Sequence, residues 1–451
     1  MDSTIIYSDD KRYIYMPLIF HGKVSDLEAP SNLDCIMFGD WNIDNSSDSK
    51  IIFTTANTYM SLSTDLRTLT EHRIEFTTFK MRLESNKFWV YTSDKLQHEI
   101  PFKFYDFIIP TTVTHIIFTS LCGSINNINY PSSVISIACK AYPIRLDSST
   151  KLPAQLKSIT FPSNTFSTLY NVTLPETLTE IKFGDCYGNN LSEFKLPEGL
   201  ISITLPGTYN RSIRDLCFPV SLNHIVFGDR YDRTLHDVDL PCSLVSMTFG
   251  CDFNRSLRRV RFPASFRSIV FGTKYTWSIH GIKFPPEMES ITFGRLYNES
   301  LIDMDLPVGL KYIRLGDDYS ESLVGAEFPL NLEIIKLGLY YSTSLDNFVL
   351  PKNLKIISFG GYKGQIHNIV FNHGLEQLYY AGTCNTLIGN LPLSLEIFSM
   401  YDTTVHQSNL PSSLKQIIFY SHSYKNNIEK MESMITKIPF GCELICDWHW
   451  C

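Results

Sequence analysis

Residues 240–263 read L-P-C-S-L-V-S-M-T-F-G-C-D-F-N-R-S-L-R-R-V-R-F-P. The two prolines stand 22 residues apart, and the spacing recurs through Pro153, Pro175, Pro197, Pro219, Pro241, Pro263, Pro285, Pro307, Pro329 and Pro351. With each proline as position 0, an apolar residue falls at +3, Ile or Met at +6 and a large apolar residue at +8. Gly usually follows at +9, an aromatic at +12, Leu or Ile at +16 and another apolar residue at +21. A fixed period of this size marks a stacked-repeat protein and overrides the two or three globular domains that 451 residues would otherwise suggest.

Each unit contains two near-copies of one motif. Leu244, Met247 and Phe249 carry the first; Leu257, Val260 and Phe262 carry the second. In each, the last two apolar residues lie two apart, the period of a strand with one buried face. The Gly or Pro that follows ends the strand by permitting or forcing a turn. One such coil cannot enclose its own apolar side chains, so the next must stack on it and pair its backbone edges. The expected fold is mainly β: a leucine-rich-repeat-like parallel solenoid of about 15 coils of 19–22 residues, with two short parallel sheets. The array is expected over 110–420, between an N-terminal segment of 1–109 and a C-terminal cap of 421–451. Its period is ragged at Pro110 and Pro131 and tightens after Pro351, through Asn372, Pro392 and Pro411.

Three columns follow from the period. The aromatic at +12 (Tyr187, Tyr209, Tyr231, Phe253, Tyr275, Tyr297, Tyr319 and Tyr341) forms either a stabilising ladder at a corner or a stripe that grips a ligand. The Ser or Thr at +15, such as Ser256 and Ser300, satisfies backbone groups at the same corner. The strand positions alternating with the buried ones, +5 and +7, hold Ser202 and Thr204, His224, Ser246 and Thr248, Ser268, Ser290 and Thr292, then Tyr312 and Arg314. They read either as a plain solvated sheet or as a broad, low-relief protein-binding face, the usual employment of repeat solenoids.

The pattern L-P-x-x-L-x-x-I-x-F-G-x-x-Y-N-x-S-L resembles the FNIP repeat, a leucine-rich-repeat relative of social amoebae and giant viruses of amoebae. Its best local matches are residues 252–257, D-F-N-R-S-L, and 296–301, L-Y-N-E-S-L. The family's Gln-Pro after Phe-Asn is absent, and the outer units lose the Gly. In that family F-box segments often precede the repeats, which implies a substrate-recruiting adaptor of a cullin-RING ubiquitin ligase with ligase subunits as partners.

The N-terminal segment is expected to be β-rich or mixed α/β, with strands at 14–20 and 73–91 and room for a short helix at 61–72. Residues 28–40 admit two readings. Pro30, Leu33, Ile36, Phe38 and Gly39 fit the repeat, or the stretch joins 50–62 as a degenerate F-box, against which Gly39 in a helix counts. Helix over 28–62 is required by the adaptor, strand by a free-standing scaffold.

Composition narrows the function. A net charge of −7 argues against nucleic acid as the main partner. No apolar run approaches a membrane span, and the acidic start M-D-S-T-I-I-Y-S-D-D is not that of a secretory signal. Eleven scattered cysteines read as reduced thiols, and a cytoplasmic location is expected, the host cytoplasm if the protein is viral. Asn-x-Ser/Thr triplets such as 210–212 recur with the repeat and read as turns. No catalytic constellation, phosphate loop or H-E-x-x-H motif occurs, so no enzyme activity, cofactor or metal is expected. Cys442, Cys446, His449 and Cys451 are soft ligands but lack the loop between ligand pairs of a structural zinc site, so a hydrophobic cap is the reading taken there. The expected function is non-enzymatic protein–protein interaction.

Overall fold

A computed structural model of the chain describes residues 194–380 without a break. Before them it describes 113–118, 129–139, 150–161 and 172–185, and after them 388–400, 409–420 and 437–447, with single residues between. Of the first hundred residues it describes six strands. No α-helix occurs among the described residues, and residues 62–72 of the expected short helix lie outside them. None of their elements is a helix long and apolar enough to cross a membrane.

The chain divides into two compact units, Met1–Tyr209 with Leu216–Leu222, and Asn210–Asp215 with Asn223–Cys451. The first unit holds a four-stranded sheet ordered Ile6–Tyr7, Tyr13–Met16, Cys35–Phe38 and Tyr59–Ser61. Tyr13–Met16 and Cys35–Phe38 pair in parallel with Tyr13 opposite Cys35, one 22-residue period apart. A hairpin of Phe79–Glu84 and Lys87–Thr92 then feeds a parallel ladder through His115–Phe118, Ser136–Cys139, Ser158–Thr160, Glu180–Lys182 and Ser202–Thr204. In the second unit a parallel ladder runs from His224–Val226 to Glu443–Asp447.

The Ser246–Thr248 coil shows why the unit folds as it does. Pro241 opens a turn whose carbonyl accepts from Leu244 N at 3.0 Å. The chain then runs extended over +5 to +7, with Met247 at +6 buried. Phe249 N donates to Val270 O of the next coil at 2.8 Å, while Val245 N and Ser246 N reach back to Asn223 O at 2.8 and 3.0 Å. These backbone groups are thereby paired, as burial requires. Leu244, Phe249, Phe253, Leu257 and Val260 complete the core.

Among the described residues the expected second parallel sheet is not formed beyond one parallel bridge, Gln407 with Ile435. At +16 to +19 the chain makes a β-turn instead, with Val260 N donating to Leu257 O at 3.0 Å and Ile282 N to Ile279 O at 3.0 Å. At +18 the backbone is left-handed in several coils, with φ of +77° at Gly281, 58° at Asp303, +91° at Gly325 and 65° at Asn347. A left-handed residue cannot continue a strand, and Gly, Asp and Asn are the residues that tolerate it. The apolar side chains at +16 and +19 still point inward, which imitates strand patterning in the sequence.

Glycine at +9 does more than release the strand. A Cβ on Gly250, Gly272, Gly294, Gly316 or Gly338 would collide with the carbonyl oxygen of the glycine one coil earlier. Of this column only Gly360 has a left-handed φ, at +54°. Close backbone approach between coils therefore sets this column.

Candidate protein-binding face

The +12 aromatics are core. Tyr231, Phe253, Tyr275, Tyr297, Tyr319 and Tyr341 stack with centroids 6.0–6.4 Å apart and planes within 14°. All six are fully buried, so this stripe is a ladder and presents nothing to a ligand. Burial also pushes up the phenol pKa of Tyr275, Tyr297, Tyr319 and Tyr341, for Tyr341 to about 12, with the neighbouring Tyr362 adding to the effect there. The hydroxyls of Tyr297, Tyr319 and Tyr341 face the amides of Ile279, Leu301 and Leu323 one coil back, short of full hydrogen-bond geometry. The same relation appears where Leu345 N donates to Tyr362 Oη at 3.4 Å. Tyr187 lies outside the described residues.

The +15 serines act as expected. Ser278, Ser300 and Ser322 each accept from the amide two residues on, at 3.1 Å. Two further columns of the same kind escaped sequence reading. At +13, Asp232 N donates to Asn210 Oδ1, Asn254 N to Asp232 Oδ1, Thr276 N to Asn254 Oδ1 and Ser320 N to Asn298 Oδ1, at 2.8–3.1 Å. At +2, Ser265 Oγ donates to Cys242 O and Leu244 O at 2.7 and 2.9 Å, and Asn331 and Asn353 each donate to a carbonyl one coil back at 2.9 Å. With the corners bound by these ladders, the strand face is left to present side chains outward.

Every candidate residue of that face lies in a strand at +5 or +7 with a buried +6 neighbour. Ser202 and Thr204 belong to the first unit, in register with Glu180 and Lys182. There Lys182 Nζ lies 2.8 Å from Glu180 Oε1 and Ser158 Oγ donates to Glu180 Oε2 at 2.8 Å, which together hold the carboxyl below its usual pKa.

The other candidates share the second unit. His224, Ser246, Ser268, Ser290 and Tyr312 form one cross-strand column; Thr248, Val270, Thr292 and Arg314 form the other. His224 Nδ1 and Ser246 Oγ are 2.8 Å apart. Side chains on this face are half-buried by their cross-strand neighbours, and Arg314 is exposed. Arg314 Nη2 lies 3.4 Å from Asp317 Oδ1.

The columns continue past the residues singled out from sequence, to Ile334 and Lys336, then Ile356 and Ser358. Lys336 Nζ sits 5.9 Å from the centre of the Tyr312 ring, a cation–π contact across adjacent coils. A small, neutral Ser/Thr pavement thus gives way to an apolar row, Tyr312–Ile334–Ile356, beside a basic pair, Arg314 and Lys336. These residues occupy the same period, and reading +5 and +7 two coils further would have found them.

At the tail, Glu443–Asp447 adds a strand to Gln416–Tyr420, so the chain through Cys446 extends the sheet. His449 and Cys451 lie outside the described residues.

The BspA-type leucine rich repeat region model matches residues 102–213 and 250–367, together just over half of the chain. The FNIP repeat model matches residues 209–252. Among solved structures, the giant-virus protein CroV588, described as a novel circular LRR protein structure, is 23% identical over 76% of this chain, with a TM-score of 0.57. This chain covers 54% of that protein's length. YopM from Yersinia enterocolitica is 15% identical, covering 75% of this chain and 73% of its own, with a TM-score of 0.42. A chain of the Drosophila Toll–Spatzle complex is 12% identical, covering 83% and 56%, with a TM-score of 0.49. Identities this low speak to fold alone, and of the three only the CroV588 overlay is close enough to support that inference. No curated protein matches the sequence significantly.

Proposed function

Since the chain belongs to the BspA-type leucine rich repeat region family, we propose that it is a non-enzymatic protein-binding scaffold whose contact surface is the +5/+7 strand face of the second unit. In this reading residues 110–420 are the binding array, flanked by 1–109 and 421–451, and the protein works in the cytoplasm, the host cytoplasm if it is viral.

The observation that carries this is the in-register ladder through Ser290, Tyr312, Ile334 and Ile356. It sets an apolar row next to Arg314 and Lys336 on a rigid frame with little relief. Aromatic and arginine side chains on such a frame are the usual anchors of an interface. Repeat solenoids bind through extended faces of this kind.

The strand at Cys35–Phe38, one period after Tyr13–Met16, favours the free-standing scaffold over the ubiquitin-ligase adaptor, which needs helix there. Affinity purification of the full chain beside a chain lacking 1–109 separates the two: cullin-ligase subunits recovered only with the full chain would favour the adaptor. The face itself is tested by replacing Tyr312 and Arg314 together with Ala. Partner recovery should fall while the circular dichroism spectrum holds, and unchanged recovery would remove this face from consideration.

A further inference from the structure

The stretch from +14 to +20 carries a charge pattern absent from the strand face. In the second unit its +16 and +19 side chains are buried, so +14, +17, +18 and +20 turn toward solvent. In the coil opening at Pro241 these positions hold Arg255, Arg258, Arg259 and Arg261, and the coil opening at Pro263 adds Lys283. In the next two coils the sign reverses, with Glu299, Asp303 and Asp305, then Glu321 and Glu327. Five cations therefore face five anions across a divide between Lys283 and Asp305, neighbours in the +20 column.

Most of these charges lack an ion-pair partner, and Arg258 Nε donates to His280 O at 2.9 Å. Arg255 pairs with Asp232 at 2.7 Å, and none of the other nine forms an ion pair among the described residues. Trp277, half exposed, lies at +14 beside the divide, and Ile302 and Val324 follow at +17 in the acidic half. The face thus has apolar area near its centre and opposite charge toward its two ends.

A surface of one sign selects a partner of the other sign. A surface split evenly into two signs, with the divide at its middle, is complementary to its own copy turned through a two-fold axis. We propose that a second copy of this chain docks on this face, antiparallel, about an axis passing between the coils that open at Pro263 and Pro285. Lys283 then meets the partner's Asp305, Arg261 the partner's Glu327 and Arg255 the partner's Glu321, and each contact occurs twice. Within these four coils, bordered on the basic side by Asp237 and Asp239 of the coil opening at Pro219, the equal count of cations and anions is the reason to assign a second copy, since a uniformly acidic or basic partner would be repelled by half of the surface.

The test is solution mass by light scattering on the full chain. Near 0.05 M NaCl the mass should approach twice 51.7 kDa, and by about 0.5 M salt the dissociation constant should rise at least tenfold, because exposed ion pairs are screened. Two triple variants complete it: R255E/R261E/K283E, and D305K/E321K/E327K. Each alone should be monomeric with an unchanged circular dichroism spectrum, and an equimolar mixture should recover a dimer containing one of each. A wild type that stays at 51.7 kDa in low salt overturns the proposal. So does a dimer that survives either reversal, which would place the contact on another surface. A monomeric wild type that captures a polyanion such as heparin would instead assign the basic half to an acidic partner.

Discussion

Replacing Gly272 with Ala puts the close approach of coils to a direct test. The added Cβ would collide with Gly250 O, and it would also lie 2.6 Å from Gly250 C and 3.3 Å from Cys251 Cα. Ordinary contacts sit near 3.5 Å and the clash with Gly250 O is the tightest of the three, so the two coils must part by roughly 1.5 Å. The obstacles are backbone, and no side chain can swing aside. The neighbouring bonds that resist parting are Phe249 N to Val270 O at 2.8 Å and Lys274 N to Cys251 O at 2.9 Å. Overpacking of this kind costs about 1–3 kcal/mol, and one or two weakened backbone bonds add about 1 kcal/mol each. The expected total of roughly 2–5 kcal/mol is a large share of the 5–15 kcal/mol typical of a folded domain. Urea denaturation followed by far-ultraviolet circular dichroism reads this directly. The control is Gly389→Ala, where nothing lies within 4 Å of the new Cβ and φ is unexceptional. That variant should be neutral or up to about 1 kcal/mol more stable, through lost entropy of the unfolded chain. If Gly272→Ala matched Gly389→Ala to within about 0.5 kcal/mol, the reasoning about the column would be wrong.

Further outcomes follow from the other columns. Because burial raises the phenol pKa of Tyr341 to about 12 while the unfolded chain ionises near 10, its stabilisation is complete below about pH 10 and is lost as pH rises from 10 to 12. Thermal melts at rising pH should show a plateau and then a fall, and tyrosinate absorbance of the ladder should grow only with unfolding. Asn298→Ala removes the acceptor of Ser320 N, held at 2.8 Å, and should cost about 1 kcal/mol in the same urea assay. Asn347→Gly relieves a left-handed φ of 65° and should be neutral to stabilising by up to about 1 kcal/mol, whereas Asn347→Val should lose at least as much.

Much of the fold could be read from periodicity, because an inward side chain at +3, +6, +8, +12 or +16 must be apolar in every coil. What the sequence concealed is geometry that different backbones share. Val260 and Phe262, two apart, look like strand residues, yet +16 to +19 is a turn that buries Leu257 and Val260 and is followed by a half-buried Phe262. The clue lay one residue earlier, in the run Gly281, Asp303, Gly325 and Asn347, all residues suited to positive φ. Glycine at +9 was legible as a requirement, but its cause was not, because closeness to the preceding coil leaves no mark within a single unit. The hydrogen-bonding columns at +2 and +13 were visible as residue types and silent about direction. For the candidate face, alternation placed Tyr312 and Arg314 on the outward side. The cation–π contact from Lys336 depends on register between coils and so required the structure.

The in-register pairing at 22 residues has one more consequence. Met247 stands opposite Ile225 on one side and Ile269 on the other, and this register repeats coil after coil. Excising residues 241–262 would join Leu240 to Pro263 and leave each inward file unbroken, so the shortened chain should still fold. A cut one residue shorter would leave one extra residue for a turn to absorb, as turns already absorb the shorter spacing that sets Leu378 opposite Ile357 and Phe398 opposite Leu378. Length in this molecule is therefore a modular quantity, open to gain or loss of whole tiles, while the outward lettering on each tile can drift without disturbing its neighbours.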